Sequence, residues 1–153
     1  MSEIARLLPQ SNIVVDLDIA TKQQFFEAMG RRLEESARLA RGSVAPSLAA
    51  REKLGSTGLG QGVAIPHGRI KGLSGAIGAF ARLRSPIAFE APDGKPVAQL
   101  FVLLVPEQAT DLHLQLLSEL AQMFSDRAFR DQLAATADAG GIAALFDHWE
   151  PAG

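Results

Sequence analysis

The chain has 153 residues, the usual size of one domain, and 47% of them are hydrophobic. It has 15 lysines and arginines against 17 aspartates and glutamates, and this net charge of -2 argues against a broadly basic nucleic-acid binder. The absence of cysteine excludes disulfides, thiolate metal ligands and a cysteine nucleophile. We therefore expect a single domain over residues 1–153 that does not bind nucleic acid.

The apolar runs of the chain are too short to cross a membrane. The longest, Leu100–Pro106, falls well below the ~18 residues that a transmembrane helix needs. The first residues also lack the charged and then apolar pattern of a secretory signal. We therefore expect a cytoplasmic protein without membrane insertion.

The first third of the chain begins with a predicted strand and a predicted helix. Residues 12–17 are rich in β-branched side chains, which favour a strand. Thr21 and Gln24 have the spacing of a capping box, which predicts the start of a helix, and Gly42 is the candidate for its end. The apolar face of this helix carries Phe25, Met29 and Leu33.

A second predicted helix leads into a glycine-rich segment. The helix spans residues 46–54, with Ser43 as the candidate N-cap and Gly55 as the stop signal. Residues 55–62 read G-S-T-G-L-G-Q-G, and four glycines in eight residues predict a loop rather than a regular strand. A short apolar run, 63–65, follows directly.

The second half of the chain predicts further strands and then helices. A strand at 76–83 is interrupted by Ser85-Pro86 and resumes at 87–89. Segment 97–105 is almost entirely apolar, which is typical of a strand covered on both faces. Helices are predicted at 112–124, with Asp111 as the cap, at 127–135 and at 142–148. Strands that alternate with helices favour an α/β domain.

His67 is the first candidate for chemistry. It stands in A-I-P-H-G, between a proline that fixes φ and a glycine that frees it, so we expect an exposed imidazole positioned on a turn. At pH 7 such a ring is largely neutral and has one nitrogen lone pair that can act as a nucleophile. A loop histidine without a role is the alternative interpretation.

His113 is the second candidate, and His148 receives no role. His113 precedes Leu116, Leu117 and Leu120 at helical spacing, so it shares their inward-facing side of the helix. A hydrogen-bonded structural histidine explains this position as well as a functional one does.

Several common sites are excluded by their missing motifs. The glycine-rich segment lacks the Gly-Lys-Ser/Thr of a P-loop and the spacing of a dinucleotide fingerprint. The histidines lack metal-ligand spacing, and the G-x-S-x-G of a serine hydrolase is absent. Arg51, directly before the glycine-rich segment, matters only if the loop brings its guanidinium to an anion.

Two blocks of the sequence resemble a known family. Residues 51–69 read R-E-K-L-G-S-T-G-L-G-Q-G-V-A-I-P-H-G-R, and residues 103–114 contain L-L-V-P and T-D-L-H-L. Together they resemble the signatures of the enzyme IIA proteins of the bacterial phosphotransferase system, of the fructose, mannitol and nitrogen-regulatory type. The wording is most similar to the free-standing nitrogen-type enzyme IIA, and the resemblance covers nearly the whole chain.

The resemblance implies roles for three residues. His67 matches the histidine that accepts a phosphoryl group on Nε2 from the carrier HPr or its nitrogen-branch counterpart. His113 matches the second active-site histidine, which orients and stabilises the first, and Arg51 matches the arginine that helps to hold the phosphoryl group. The implied fold is an α/β sandwich, a mixed central sheet with helices on both faces, and no metal or cofactor is implied.

The implied reaction also predicts the surroundings of His67. Ser56, Thr57 or loop amides would donate to the phosphoryl oxygens, and a ring hydrogen bond from His113 would fix the tautomer of His67. Candidates for an apolar docking patch around the site are Leu59 and Ile70.

Three functions remain open at this point. The leading hypothesis is a regulatory phosphocarrier whose binding to nitrogen- and potassium-related target proteins depends on phosphorylation. The alternative is a sugar-uptake enzyme IIA of the fructose type that passes phosphate to an enzyme IIB. A pure binding module would lack an acceptor or a partner residue, and the presence of Arg51, His67 and His113 counts against it.

Overall fold

Six strands form one mixed sheet within residues 3–151, the part of the chain that the computed structural model describes. The strands are β1 (Ile13–Leu17), β2 (Gly58–Gly60), β3 (Val63–Ala64), β4 (His67–Ile70), β5 (Ile77–Ile87) and β6 (Val97–Pro106). The α-helices are α1 (Glu3–Leu7), α2 (Lys22–Ala37), α3 (Val44–Lys53), α4 (Asp111–Ser125), α5 (Arg127–Ala135) and α6 (Ala139–His148). A short 3-10 helix, Gln10–Asn12, precedes β1.

Strand β6 organises the sheet. It pairs antiparallel with β5 along one edge, and with β3 and then β4 in parallel along the other. Strand β1 extends the sheet beyond β5, and β2 extends it beyond β3. Most of β6 is buried, as its apolar sequence predicts for a strand covered on both faces.

Helices cover both faces of this sheet, and alternate residues of β6 enter different cores. Leu100, Val102 and Leu104 pack with α2 and α3 on one face. Phe101, Leu103 and Val105 pack with α1, α4, α5 and α6 on the other. The prediction of an α/β fold with a mixed central sheet and helices on both faces is confirmed.

Several boundaries differ from the prediction by a few residues, and α6 begins at Ala139 rather than at 142. Two differences have a clear physical cause. Helix α2 ends at Ala37, because Arg38 adopts a left-handed conformation with φ 56° and closes the helix before Gly42. Strand β5 continues through Ser85-Pro86, so the predicted interruption is wrong. Its pairing with β1 ends at Leu83, and its register with β6 shifts further along, so the proline lies where the ladder is already irregular.

The start of α3 is capped by a residue of another helix. Ser43 was the predicted N-cap, but its hydroxyl donates to the carbonyl of Ala40 and makes no capping bond. Instead the buried carboxylate of Glu34, on α2, accepts from the backbone N–H of Gly42 at 2.9 Å and of Val44 at 3.0 Å. The negative charge of Glu34 also lies at the positive end of the α3 dipole.

We expect Glu34→Gln to lower the free energy of unfolding by about 1–2 kcal/mol, since it places an amide donor against backbone donors. Ser43→Ala should cost less than about 0.5 kcal/mol, because that hydroxyl caps nothing. Urea unfolding of both variants measures the difference. Equal losses would contradict the assignment of Glu34 as the cap.

Candidate active site

His67 begins β4 and lies inside the sheet rather than on a turn. It pairs with Leu103 of β6, and only 8% of its surface is exposed. The expectation of an exposed imidazole on a turn is therefore wrong, because the ladder along β6 continues through this segment. Gly68 follows, and a Cβ there would overlap the hydroxyl of Ser47, so its missing side chain lets α3 approach β4 closely.

Two hydrogen bonds fix the tautomer of His67. Its Nδ1 lies 2.8 Å from the carbonyl oxygen of Ile65, which can only accept, so Nδ1 carries the proton. The Nε of Arg51 donates to Nε2 of His67 at 3.2 Å. The lone pair of the ring is therefore on Nε2 and faces the guanidinium. Ile65, rather than His113, performs the tautomer-fixing role that the sequence analysis gave to the second histidine.

His113 lies in the first turn of α4 with its ring against that of His67. The ring centroids are 5.1 Å apart at an interplanar angle of 66°, which is an edge-to-face contact. Its Nε2 is buried and has no hydrogen-bond partner among residues 3–151, so the predicted ring-to-ring hydrogen bond is absent there. His113 is half-buried, and an unpaired buried nitrogen is a group that a ligand can satisfy.

Burial lowers the pKa of both rings. For His67, burial is the largest cause and the charge of Arg51 adds to it, against the opposing effects of the Ile65 hydrogen bond and the carboxylate of Glu52. For His113, burial is again the largest cause, followed by His67, Arg69 and Arg51. Both imidazoles are therefore neutral at pH 7, the state in which a ring nitrogen is nucleophilic.

Arg51 reaches the site from the last turn of α3. Besides its bond to His67, its guanidinium donates to the carbonyl of Gly55 at 2.8 Å. The glycine-rich segment thus turns back so that this guanidinium stands beside the reactive nitrogen. The structure brings Arg51, His67 and His113 together, although they are spread over 63 positions of the chain, 51 to 113.

The hydroxyls of Ser56 and Thr57 are already engaged, contrary to the expectation that they donate to a ligand. Ser56 donates to the carbonyl of Phe89 at 2.8 Å, and Thr57 donates to the carboxylate of Glu52 at 2.6 Å. The segment also contains the short strand β2, where only a loop was predicted. These contacts make the glycine-rich segment a fixed wall of the site.

A shallow cleft of about 330 Å³ opens beside His67. Arg51 and Leu59 line it from one side, and Leu117 and Ser118 of α4 line it from the other. Ser118 was missed by the sequence analysis. It lies in the middle of α4, five residues beyond His113 and about 140° around the helix from it, so its spacing from His113 gives no signal that could have found it.

The large hydrophobic side chains that are exposed within residues 3–151 lie close to the site along the chain. They are Leu54, Leu59, Leu112 and Leu114, at 85%, 44%, 39% and 68% exposure. We call these four residues the leucine rim. The exposure of Leu59 and its place at the cleft agree with a part in an apolar patch, which stays a prediction. The candidate Ile70 is wrong, because it is 2% exposed and belongs to the core.

No group of three or more histidine, aspartate or glutamate side chains within residues 3–151 is placed to hold a metal ion. Over the same residues, no helix is long and apolar enough to cross a membrane.

Comparison with protein families gives one match over most of the chain. The model described as "Phosphoenolpyruvate-dependent sugar phosphotransferase system, EIIA 2" matches residues 6–149. A phosphocarrier of the enzyme IIA type is the class of protein that this match and the fold define. The chain belongs to the EIIA 2 family of the phosphoenolpyruvate-dependent sugar phosphotransferase system.

Curated relatives are named as nitrogen regulatory proteins. The one from Bradyrhizobium diazoefficiens is 38% identical over 139 residues, which are 91% of each chain. The one from Pseudomonas aeruginosa is 54% identical over 95 residues, and that match spans 61% of this chain and 62% of the relative, slightly less than two thirds of its length.

Solved structures share the fold. The crystal structure of nitrogen regulatory protein IIA-Ntr from Neisseria meningitidis has a TM-score of 0.89 and 51% sequence identity, over 94% of this chain and 99% of that one. Enzyme IIA of the mannitol system of Escherichia coli, solved in complex with phosphorylated enzyme IIB, has a TM-score of 0.78 at 20% identity, over 94% of this chain and 100% of that one. At that identity the likeness shows the fold alone.

The lowered pKa values predict how stability depends on pH. Because His67 and His113 titrate below the ~6.5 of an unfolded histidine, the unfolded chain binds more protons as the pH falls. Their contribution to stability is complete above pH ~6.5 and declines as the pH falls through 6.5 toward the folded pKa values.

We expect urea unfolding to give a lower free energy of unfolding at pH 5 than at pH 7.5. The double variant His67→Gln, His113→Gln should show a smaller difference between the two pH values. An NMR titration of the wild-type rings assigns the effect. A pKa at or above 6.5 for both rings would contradict the structure.

Proposed function

We propose that His67 accepts a phosphoryl group on Nε2 from phosphorylated HPr or its nitrogen-branch counterpart. The observation that carries this proposal is the pair of hydrogen bonds on His67, which keep the proton on Nδ1 and the lone pair on Nε2 beside a guanidinium. The open cleft beside the ring supports it, because a donor phosphohistidine must reach Nε2 in line with the bond that breaks.

The proposed step balances without a cofactor. The lone pair of Nε2 forms the bond to phosphorus, the bond between phosphorus and the donor nitrogen breaks, and the donor ring recovers that electron pair. The His67 ring gains positive charge while Nδ1 keeps its proton, and the carbonyl of Ile65 stabilises that charge. Donor and product are both phosphohistidines, so the exchange is nearly isoenergetic and reversible.

Arg51 and His113 complete the proposed site. The Arg51 bond to Nε2 uses the same lone pair that attacks phosphorus, so the guanidinium must turn from the nitrogen to the phosphoryl oxygens. His113 holds the ring of His67 by its edge-to-face contact, and its unpaired Nε2 is available to the phosphoryl group. Ser118 adds a hydroxyl on the opposite wall of the cleft.

We further propose that phosphorylation of His67 regulates binding to nitrogen- and potassium-related target proteins, in the cytoplasm where phosphoenolpyruvate is made. The names of the relatives support this regulatory role. The leucine rim supports docking of other proteins near the site, because Leu59 lines the cleft and the other three exposed leucines are neighbours of site residues along the chain. Transfer to an enzyme IIB is the alternative, supported by the fold of the mannitol enzyme IIA.

Mass spectrometry of the intact protein, after incubation with phosphoenolpyruvate, enzyme I and HPr or its counterpart, tests the acceptor. We expect one phosphoryl group on the wild type that mild acid removes, and none on His67→Ala, which lacks the nucleophile. His148→Ala is the matched control, because within residues 3–151 the hydrogen bond of that ring goes to the carbonyl of Ala144 on its own helix. A phosphorylated His67→Ala protein would disprove the acceptor.

We expect His113→Ala to slow the transfer about 10- to 100-fold, by analogy with the loss seen when the partners that orient metal-binding histidines are removed. The reason is that His67 loses its ring contact and the phosphoryl group loses a partner. Rapid-quench kinetics measures the rate, and circular dichroism checks that the fold is intact. An unchanged rate would contradict the role of His113.

Addition of an enzyme IIB to the phosphorylated wild type separates the two proposed roles. Retention of the phosphoryl group favours the regulator, whereas rapid loss to enzyme IIB favours sugar uptake.

A further inference from the structure

We propose that Glu52 is a positioning residue for the phosphoryl transfer. Glu52 holds His67 in place through Thr57 and Ile65, and its carboxylate stabilises the positive charge that the His67 ring gains during transfer. This inference rests on the proposed phosphoryl acceptor and deepens it. Glu52 does not touch the reacting atoms, so it differs in kind from Arg51 and His113.

The carboxylate of Glu52 is buried and fully engaged. Its side chain is 6% exposed and pairs with Lys22 at 2.8 Å. It also accepts from the backbone N–H of Thr57, at 3.1 and 3.3 Å to its two oxygens, and from the Thr57 hydroxyl at 2.6 Å. A buried carboxylate with this number of donors is rigid, so it fixes the position of Thr57.

Two further hydrogen bonds connect Thr57 to the ring of His67 and so fix the position of that ring. The carbonyl of Thr57 accepts from the N–H of Ile65 at 3.0 Å, and the carbonyl of Ile65 accepts from Nδ1 of His67 at 2.8 Å. An uninterrupted sequence of contacts therefore leads from Glu52 to the nitrogen that must keep its proton during transfer. A shift of Thr57 would move the carbonyl on which the tautomer of His67 depends.

The charge of Glu52 favours the transition state over the resting state. Arg51 and Glu52 of α3, His113 of α4 and Arg69 of β4 are the titratable and charged groups whose fields reach the two rings. Glu52 is the negative member of this set. Its partner Lys22 is shared with the exposed Glu90 at 3.3 Å, so the cation does not belong to Glu52 alone.

The negative charge of Glu52 has a small effect on a neutral imidazole and a larger one on the ring as it becomes cationic. Interactions that strengthen only in the transition state raise the rate. The direction agrees with the raising effect of Glu52 on the pKa of His67.

Glu52→Gln tests the proposal, with Glu34→Gln as the matched control. Both residues are glutamates whose buried carboxylates accept from backbone N–H groups, but Glu34 caps α3 away from His67. We expect Glu52→Gln to slow transfer about tenfold, to lower the pKa of His67 and to reduce the Nδ1–H tautomer in ¹⁵N NMR. Glu34→Gln should leave the transfer rate within twofold of the wild type, and the pKa and the tautomer of His67 unchanged within error. Its loss of stability should be comparable to that of Glu52→Gln.

Lys22→Met keeps the bonds of Glu52 to Thr57 and removes the compensating cation, so it should raise the pKa of His67. This opposite shift keeps the proposal testable if Glu52→Gln fails to fold. Unchanged rate and pKa in Glu52→Gln, or a lowered or unchanged pKa in Lys22→Met, would overturn the role of Glu52. An unphosphorylated wild type would instead disprove the proposed acceptor, and the NMR measurements would still decide whether Glu52 positions the ring.

Discussion

The tautomer of His67 depends on which group donates a hydrogen bond to the carbonyl of Ile65. Pro66 turns its carbonyl to the N–H of Leu103 on β6, so the groups of Ile65 face the other way, toward β2. Strand β2 pairs with β3 only as far as Ala64, and Thr57 satisfies the N–H of Ile65. The carbonyl of Ile65 is left without a backbone donor, and Nδ1 of His67 supplies the proton. The length of β2 thus determines which nitrogen of His67 keeps its lone pair.

The surroundings of the ring are held too firmly to carry a signal by large movement. His67 is in register with β6, which is buried on both faces, and the glycine-rich segment is tied to the loop between β5 and β6. Ser56 donates to Phe89, and the N–H of Gln61 donates to Asp93 at 2.9 Å. The proposed phosphorylation at Nε2 would therefore act through charge and through Arg51, whose bond to that nitrogen is incompatible with a phosphoryl group there.

Local sequence patterns predicted most helices and strands. They failed where a cap, a burial or a hydrogen bond depends on a residue that is distant in the sequence. Segment 127–135 is a helix with the predicted bounds, because its periodicity and its cap are local. The cap of α3 comes from Glu34, the burial of His67 comes from β6, and the partner of the Thr57 hydroxyl is Glu52. None of these contacts leaves a periodic signal in the sequence. The roles of Arg51, His67 and His113 came from family resemblance alone, and they stay predictions until transfer is measured.

In the proposed function, the leucine rim and the charge around Nε2 would contribute differently to recognition. Apolar contacts with Leu54, Leu59, Leu112 and Leu114 would be the same in both phosphorylation states, so they would supply affinity without discrimination. Around Nε2 the resting site holds one guanidinium and two neutral rings, a local charge of about +1. The proposed phosphoryl group would bring about -1.5 to -2 and reverse that sign. If a partner docks there as proposed and excludes water, like-charge contacts would be costly, and a partner suited to one state would be rejected by the other.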